Sequence, residues 1–257
     1  MINSIIMKKI IVAVAMLYST IGLAQQQEYK LDRNTLIKMN EQYTPQPKVV
    51  TAADMSNLIA APSDATILFD GKDLSAWKGA KGEPKWEIRD GVLCIKPHTG
   101  GIRTKESFGD CQIHIEWMIP EGTTGKSQQR GNSGIYIQER YEVQILDSYK
   151  SESYVKGQAA SIYKQHAPLV NACSPQGKWN VYDIIFTAPT FKADGTLKTY
   201  AYITVLHNGV LVQNNSLVIG ETEYDKLPTY NSHGDAPIFL QDHSNEVRFR
   251  NIWVRKL

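Results

Sequence analysis

The stretch Asn132–Tyr149, NSGIYIQERYEVQILDSY, decides how the rest of the chain is read. Side chains of an extended strand alternate between two faces, whereas a helix repeats its apolar residues every three to four positions. Ile135 and Ile137, then Tyr141, Val143 and Ile145, fall on alternate positions either side of a charged turn. The stretch therefore predicts two short strands joined as a hairpin. In the second strand Glu142, Gln144 and Leu146 share the face opposite Tyr141, Val143 and Ile145, and Asp147 lies just beyond the strand end. A carboxylate beside an amide suits any solvated sheet face. The flanking Asn132, Ser133, Gly134 and Tyr136, with Asp147 and Tyr149, favour the floor of a polar cleft.

The same alternation extends in both directions. Ile67-Leu68-Phe69 stops at Asp70-Gly71, and Trp86–Arg89 stops at Asp90-Gly91 before Val92–Ile95 resumes. Further strands are expected at Cys111–Ile119, Ile135–Ile137, Glu142–Leu146, Trp179–Thr187, Tyr200–Leu206, Val210–Gln213, Ile238–Gln241 and Val247–Val254. Asn208-Gly209 reads as a hairpin turn, because asparagine and glycine tolerate positive φ. No stretch after Thr66 keeps a helical period beyond two turns. About ten to twelve short strands without intervening helices predict an all-β chain, best built as a jelly-roll sandwich of two antiparallel sheets. A propeller would need a repeat of about 40 residues, and none is present.

The N-terminus has a different character. Lys8 and Lys9 precede an apolar run from Ile10 to Leu23, and Gly22 and Ala24 occupy the small-residue positions before Gln25. Residues 1–24 are thus expected to be a cleaved signal peptide, directing export to the periplasm. Met7 is an alternative start. Residues 25–64 form a polar leader with a candidate helix at Asn34–Tyr43 and a proline-marked connector, and residues 65–257 the sandwich. No other apolar run approaches the roughly 20 residues of a membrane span.

Lysine and arginine number 28 against 26 acids, and removal of Lys8 and Lys9 brings the balance near zero. With charges interspersed, no nucleic-acid partner is expected. Cys94, Cys111 and Cys173 show no metal spacing and are read as free and buried, although Cys94 and Cys111 could bridge neighbouring strands. The histidines are scattered, with no HExxH motif, so no metal site is predicted; calcium on carboxylates and carbonyls stays open, and no EF-hand is present. Serine-hydrolase, P-loop and dinucleotide-binding motifs are absent.

Polar residues in unexpected places mark the candidate site. In Cys111–Ile119 the apolar alternates must face the core, turning His114 and Glu116 outward, where they could line a trough. The long connection after Tyr149 carries Gln158 and Tyr163 before reaching Trp179. Aromatic rings beside amides and carboxylates suit a sugar, whose C–H faces stack and whose hydroxyls take paired hydrogen bonds. Gln241 and His243 end the strand near Ile238, and a histidine there can serve as acid or base.

Several runs resemble one family. Leu68-Phe69-Asp70-Gly71 with Leu74 and Trp77, Asp90-Gly91-Val92-Leu93, Asn132-Ser133-Gly134-Ile135, Glu142-Val143-Gln144-Ile145-Leu146-Asp147 and Gly177-Lys178-Trp179-Asn180 occur in the order found in 3-keto-disaccharide hydrolase domains. Leu240-Gln241-Asp242-His243 followed by Val247 and Phe249-Arg250-Asn251-Ile252 resembles the family's ending. His243 is preceded by Asp, and the loop Gly122–Gly131 is long and polar, two departures that bear on pocket access. The resemblance covers about Ala65–Leu257 and implies a concanavalin-like sandwich in an exported hydrolase acting on oxidised mono- or disaccharide glycosides.

A 3-keto group acidifies the sugar C2 proton, so such a bond can be cut by elimination and rehydrated. On that reading Glu142 or His243 is the base, Asp147 its partner or acid, and Asn132, Gln144 and Gln241 positioning groups, with Tyr136, Gln158, Tyr163, Trp179, His114 and Glu116 as further substrate contacts. Two alternatives stay open: a conventional glycosidase pairing Glu116 with Glu142, and a non-catalytic lectin-like module.

Overall fold

The computed structural model describes residues 32–257; the expected signal peptide lies outside them. Two antiparallel sheets pack face to face. The larger runs β15 (Val210–Val218), β14 (Ala201–His207), β11 (Trp179–Thr187), β7 (Cys111–Met118), β17 (Arg248–Lys256), β5 (Val92–Cys94) and β4 (Glu87–Arg89), with β2 (Thr66–Phe69) also paired to β17. The smaller runs β3 (Trp77–Gly79), β6 (Ile102–Thr104), β16 (Phe239–Leu240), β8 (Ser133–Ile137) and β9 (Tyr141–Ile145). A short ribbon of β12 (Thr190–Phe191) and β13 (Leu197–Thr199) lies apart. The expected jelly-roll sandwich is the fold.

Alternation decides which side chains meet between the sheets. Ile113, Ile115 and Trp117 of β7 are buried against Ile135 and Ile137 of β8 and Tyr141, Val143 and Ile145 of β9. Removing apolar side chains of this kind from water stabilises by about 1.5–3 kcal/mol each. The β8–β9 hairpin closes where Arg140 N–H donates to the Ile137 carbonyl (3.1 Å), with Gln138 and Glu139 both at positive φ. That primed geometry matches the strand twist. It fixes the register Tyr136↔Glu142 and Gly134↔Gln144, which turns those four residues away from the core.

Residues 32–64 of the leader lie against the sandwich. Its helix α1 (Arg33–Asn40) begins at Asp32, whose carboxylate accepts from the backbone N–H of Asn34 (3.0 Å) and Thr35 (3.1 Å). β1 (Lys48–Val49) then adds in parallel to β10 (Val170–Asn171). Residues 55–59 cross the outer face of the larger sheet. There the carbonyls of Met55 (3.2 Å) and Ser56 (3.0 Å) accept from Arg250, and that of Ile59 from Asn251 (2.7 Å).

This corrects the expected trough. His114 and Glu116 do face outward, but both are fully buried in an ion-pair network. His114 Nδ1 meets Asp183 at 2.7 Å, Glu116 meets Arg250 Nε at 2.6 Å and accepts from Asn251 at 2.7 Å. Burial opposes charge on both. Asp183 and Glu116 nonetheless raise the His114 pKa, and His114, Asn251 and Arg250 hold Glu116 below its ordinary value. All three cysteines are free and buried.

Candidate active site

On the outward face of the smaller sheet lies a cavity of about 250 Å³ lined by Gln128, Asn132, Tyr136, Glu142, Gln144, Tyr163, Tyr224, Gln241 and His243. The volume is close to the lower bound of about 300 Å³ for small-molecule sites, which suits one ring better than an extended chain. β9 supplies Glu142 and Gln144, β8 supplies Tyr136, and the segment after β16 supplies Gln241 and His243. The polar loop before β8 folds into a 3-10 turn at Ser127–Gln129 and brings Gln128 to the wall. Tyr163 comes from the long connection after β9.

Glu142 is the one carboxylate among the described residues lining this cavity. Its side chain is buried, and Oε2 has no hydrogen-bond partner. Burial pushes its pKa up to about 8, an effect only partly offset by the Tyr136 hydroxyl. Gly134 makes room for it, because a Cβ there would stand 2.3 Å from Glu142 Oε1. The main chain holds the residue in place: its N–H donates to Thr222 Oγ1 (2.9 Å) and its carbonyl accepts from Tyr163 N–H (3.1 Å).

The amides around Glu142 form a braced ring. Gln144 Nε2 donates to Gln128 Oε1 (2.9 Å), Asn132 Nδ2 to the Gln128 carbonyl (2.7 Å), and Gln241 Nε2 to the Tyr136 hydroxyl (3.3 Å). Gln128 Nε2 is held by Ser153 Oγ (2.5 Å) and the Gly157 carbonyl (2.9 Å). Gln144 Oε1 and Gln241 Oε1, like Glu142 Oε2, are buried without a partner. Leaving a buried polar group unsatisfied costs about 1–3 kcal/mol. Two unpaired amide oxygens beside the Glu142 carboxyl match a ligand rich in hydroxyl groups.

Of the residues singled out in the sequence, Asn132, Tyr136, Glu142, Gln144, Tyr163, Gln241 and His243 meet here. The others do not. Asp147 is buried one strand-end away in a different cleft, paired with Arg130 at 2.7 Å and accepting from Gln176 at 2.8 Å. Gln158 is buried and donates to Gln46 Oε1 of the leader (2.8 Å). Trp179 lies on the outer face of the larger sheet with the Arg250 guanidinium 4.1 Å from its ring centre. His114 and Glu116 share that face. Because the sheets are about 10 Å apart and the two side chains point away from each other, Glu116 and Glu142 cannot flank one glycosidic bond, which needs about 5–9.5 Å.

Gln128 and Tyr224 line the cavity without having been singled out. Gln128 sits within the polar loop Gly122–Gly131, and that unusual length was the available signal. Tyr224 lies in an irregular segment between β15 and β16 where no periodicity marks a side chain's direction. A further cleft of about 270 Å³ between the β3–β4 and β5–β6 connections carries no buried unpartnered side-chain acceptor among the described residues.

The chain is similar to several known proteins. The family described as the 3-keto-alpha-glucoside-1,2-lyase-like domain matches residues 64–255. A 3-keto-disaccharide hydrolase of Bacteroides thetaiotaomicron is 25% identical over 266 residues, covering 85% of this chain and 88% of that protein. A crystal structure from Parabacteroides distasonis, of a protein carrying a provisional glycosyl hydrolase assignment, is 51% identical, with a TM-score of 0.77 over 86% of this chain and 96% of that one. A second structure from the same organism, at 23% identity and TM-score 0.54 over 76% of this chain and 94% of that one, shares the fold.

Proposed function

The chain belongs to the 3-keto-alpha-glucoside-1,2-lyase-like domain family, and from that membership we propose that it cleaves glycosides whose sugar is oxidised at C3, by elimination followed by hydration. The observation that carries this reading is Glu142: a single buried carboxyl, with a raised pKa and a free oxygen, facing a ring of amides. A glycosidase working through an oxocarbenium ion uses two carboxyl groups across the bond. Elimination needs one strong base, a donor for the developing enolate oxygen and an acid for the leaving group.

The steps balance with groups at hand. Glu142 takes the C2 proton, and the electron pair passes to the C3 carbonyl oxygen as an enolate, with the Tyr163 hydroxyl as its hydrogen-bond donor. Return of that pair forms the C1–C2 double bond and breaks the C1–O bond, and His243 gives a proton to the departing oxygen. Water then adds at C1, passing its proton to His243, and Glu142 returns a proton to C2, releasing the 3-keto sugar and restoring both groups. Gln144, Gln241 and Asn132 hold the sugar hydroxyls. Positioned acid–base groups contribute about 10²–10⁴ in rate each, and a carboxylate with a pKa near 8 is a stronger base than an ordinary one.

The test compares a 3-keto-glucoside with its parent glucoside, following aglycone release chromatographically. Release from the oxidised substrate alone is expected. Equal cleavage of the parent, or binding of the keto-sugar with no release, would overturn the reading. Export belongs to the same proposal and rests on Lys8, Lys9 and the apolar run to Leu23. A mature protein beginning at Gln25 in the periplasmic fraction is the expected outcome, and an uncleaved cytoplasmic chain the contrary one.

A further inference from the structure

The family match begins at residue 64, yet residues before it contact Lys164 and Asp225, which adjoin Tyr224 of the cavity wall. Glu41, just past α1, accepts from Lys164 Nζ at 2.9 Å. Lys164 is 4% exposed, and its backbone adopts a positive φ of 60°, uncommon for a residue with a side chain. Its ammonium lies 3.9 Å from the ring centre of Tyr224 and 5.2 Å from that of Tyr154. Arg33, on α1, pairs with Asp225, the neighbour of Tyr224. Tyr154 in turn meets Tyr163 hydroxyl to hydroxyl at 2.5 Å.

Tyr224 therefore has an unusual support. Nearly half of it is exposed (48%), and it sits on an irregular connection, but a buried cation lies against one face of its ring. A cation is drawn to the electron-rich face of an aromatic ring, and more strongly where it is desolvated. The cation is itself held by a carboxylate from the leader. Without Glu41, Lys164 would be a buried charge with no carboxylate partner, and its hold on Tyr224 would be lost.

We infer that the leader completes the substrate site: Glu41, through Lys164, positions Tyr224 as the aromatic wall against which a sugar ring stacks. Glu41 and Lys164 are positioning residues, and Tyr224 is the contact. A tyrosine ring offers its face to the C–H side of a pyranose, while the amides opposite take the hydroxyls. The leader would thus contribute to affinity for the sugar without touching it. This rests on the keto-glycoside reading above.

Two readouts separate the inference from that reading. Hydrogen exchange of amides 220–226 needs no substrate; Glu41→Ala is expected to speed it about tenfold while β7 and β11 stay protected. Should Glu41→Ala unfold the chain, Arg33→Ala, at an exposed ion pair, carries the same measurement. Calorimetry with a non-cleavable 3-keto-glucoside is expected to show Glu41→Ala and Tyr224→Ala each weakened by about 3- to 10-fold, with the double variant no weaker than Tyr224→Ala alone. Unchanged exchange, unchanged affinity in Glu41→Ala, or additive losses would each overturn the inference. If the wild type binds no keto-glycoside, the functional reading fails, and the exchange result alone decides whether the leader holds Tyr224.

Discussion

Placing a carboxyl group in a dry pocket with one oxygen unpaired, as at Glu142, works against the folded state and makes sense for a base. With a pKa near 8, about a tenth of Glu142 is ionised at neutral pH. As the base, it should make kcat/KM rise with pH through an apparent pKa near 8 in the free enzyme; a profile falling across that region would make Glu142 the acid instead. Stability should move the other way. Between the ordinary value of 4.5 and about 8 the folded state holds a proton that the unfolded state releases, so stability is lost as pH rises through this window. Urea unfolding should show the stability of Glu142→Gln relative to wild type increasing across that window. A pH-independent difference would mean the carboxyl is not desolvated. Burial was the part of this site that the sequence could not reveal, since strand alternation gives the face of Glu142 but not what covers it.

Hairpins were the elements most legible in advance. His207-Asn208-Gly209 reads as a turn from residue type alone, and Asn208 and Gly209 both take positive φ, at 53° and 76°. Less legible was how much Asn208 does: its Oδ1 accepts from Val181 N–H (2.7 Å), tying the β14–β15 turn to β11, and its Nδ2 donates to the Ala172 carbonyl (2.9 Å). Asn208→Ala should cost about 2–4 kcal/mol, combining left-handed strain with unsatisfied buried groups. A thermal melt within a degree of wild type would contradict that role. β3, β6, β10, β12 and β13, of two or three residues each, escaped the reading because so short a run cannot display a period. β15 runs to Val218, beyond the expected Gln213: Asn214 and Asn215 form an irregularity in the register, and pairing with β14 resumes at Ser216↔Ile203.

Across the whole molecule, the two outer faces look alike in sequence and differ in use. His114 and Glu116 alternate outward from β7 much as Glu142 and Gln144 do from β9, but the leader covers the first pair and leaves the second open to a cavity. Which face the leader crosses depends on Arg250 and Asn251 meeting carbonyls of residues 55–59, a contact nearly 200 positions apart that no local pattern announces. Glu116→Gln should therefore weaken the fold, by up to about 3 kcal/mol, while leaving kcat/KM within about twofold of wild type. An activity loss as large as that of Glu142→Gln would restore the paired-carboxylate mechanism. In the proposed mechanism Glu142 removes the C2 proton of a 3-keto glycoside. Its most direct test is cleavage in deuterated water, sampled early and corrected for enzyme-free exchange, with mass-spectrometric localisation of the label. Water that enters to hydrate the double bond also exchanges the Glu142 carboxyl proton, so the released sugar should carry deuterium at C2, and Glu142→Gln should release none. Sugar released by the wild type with protium retained at C2 would contradict the account.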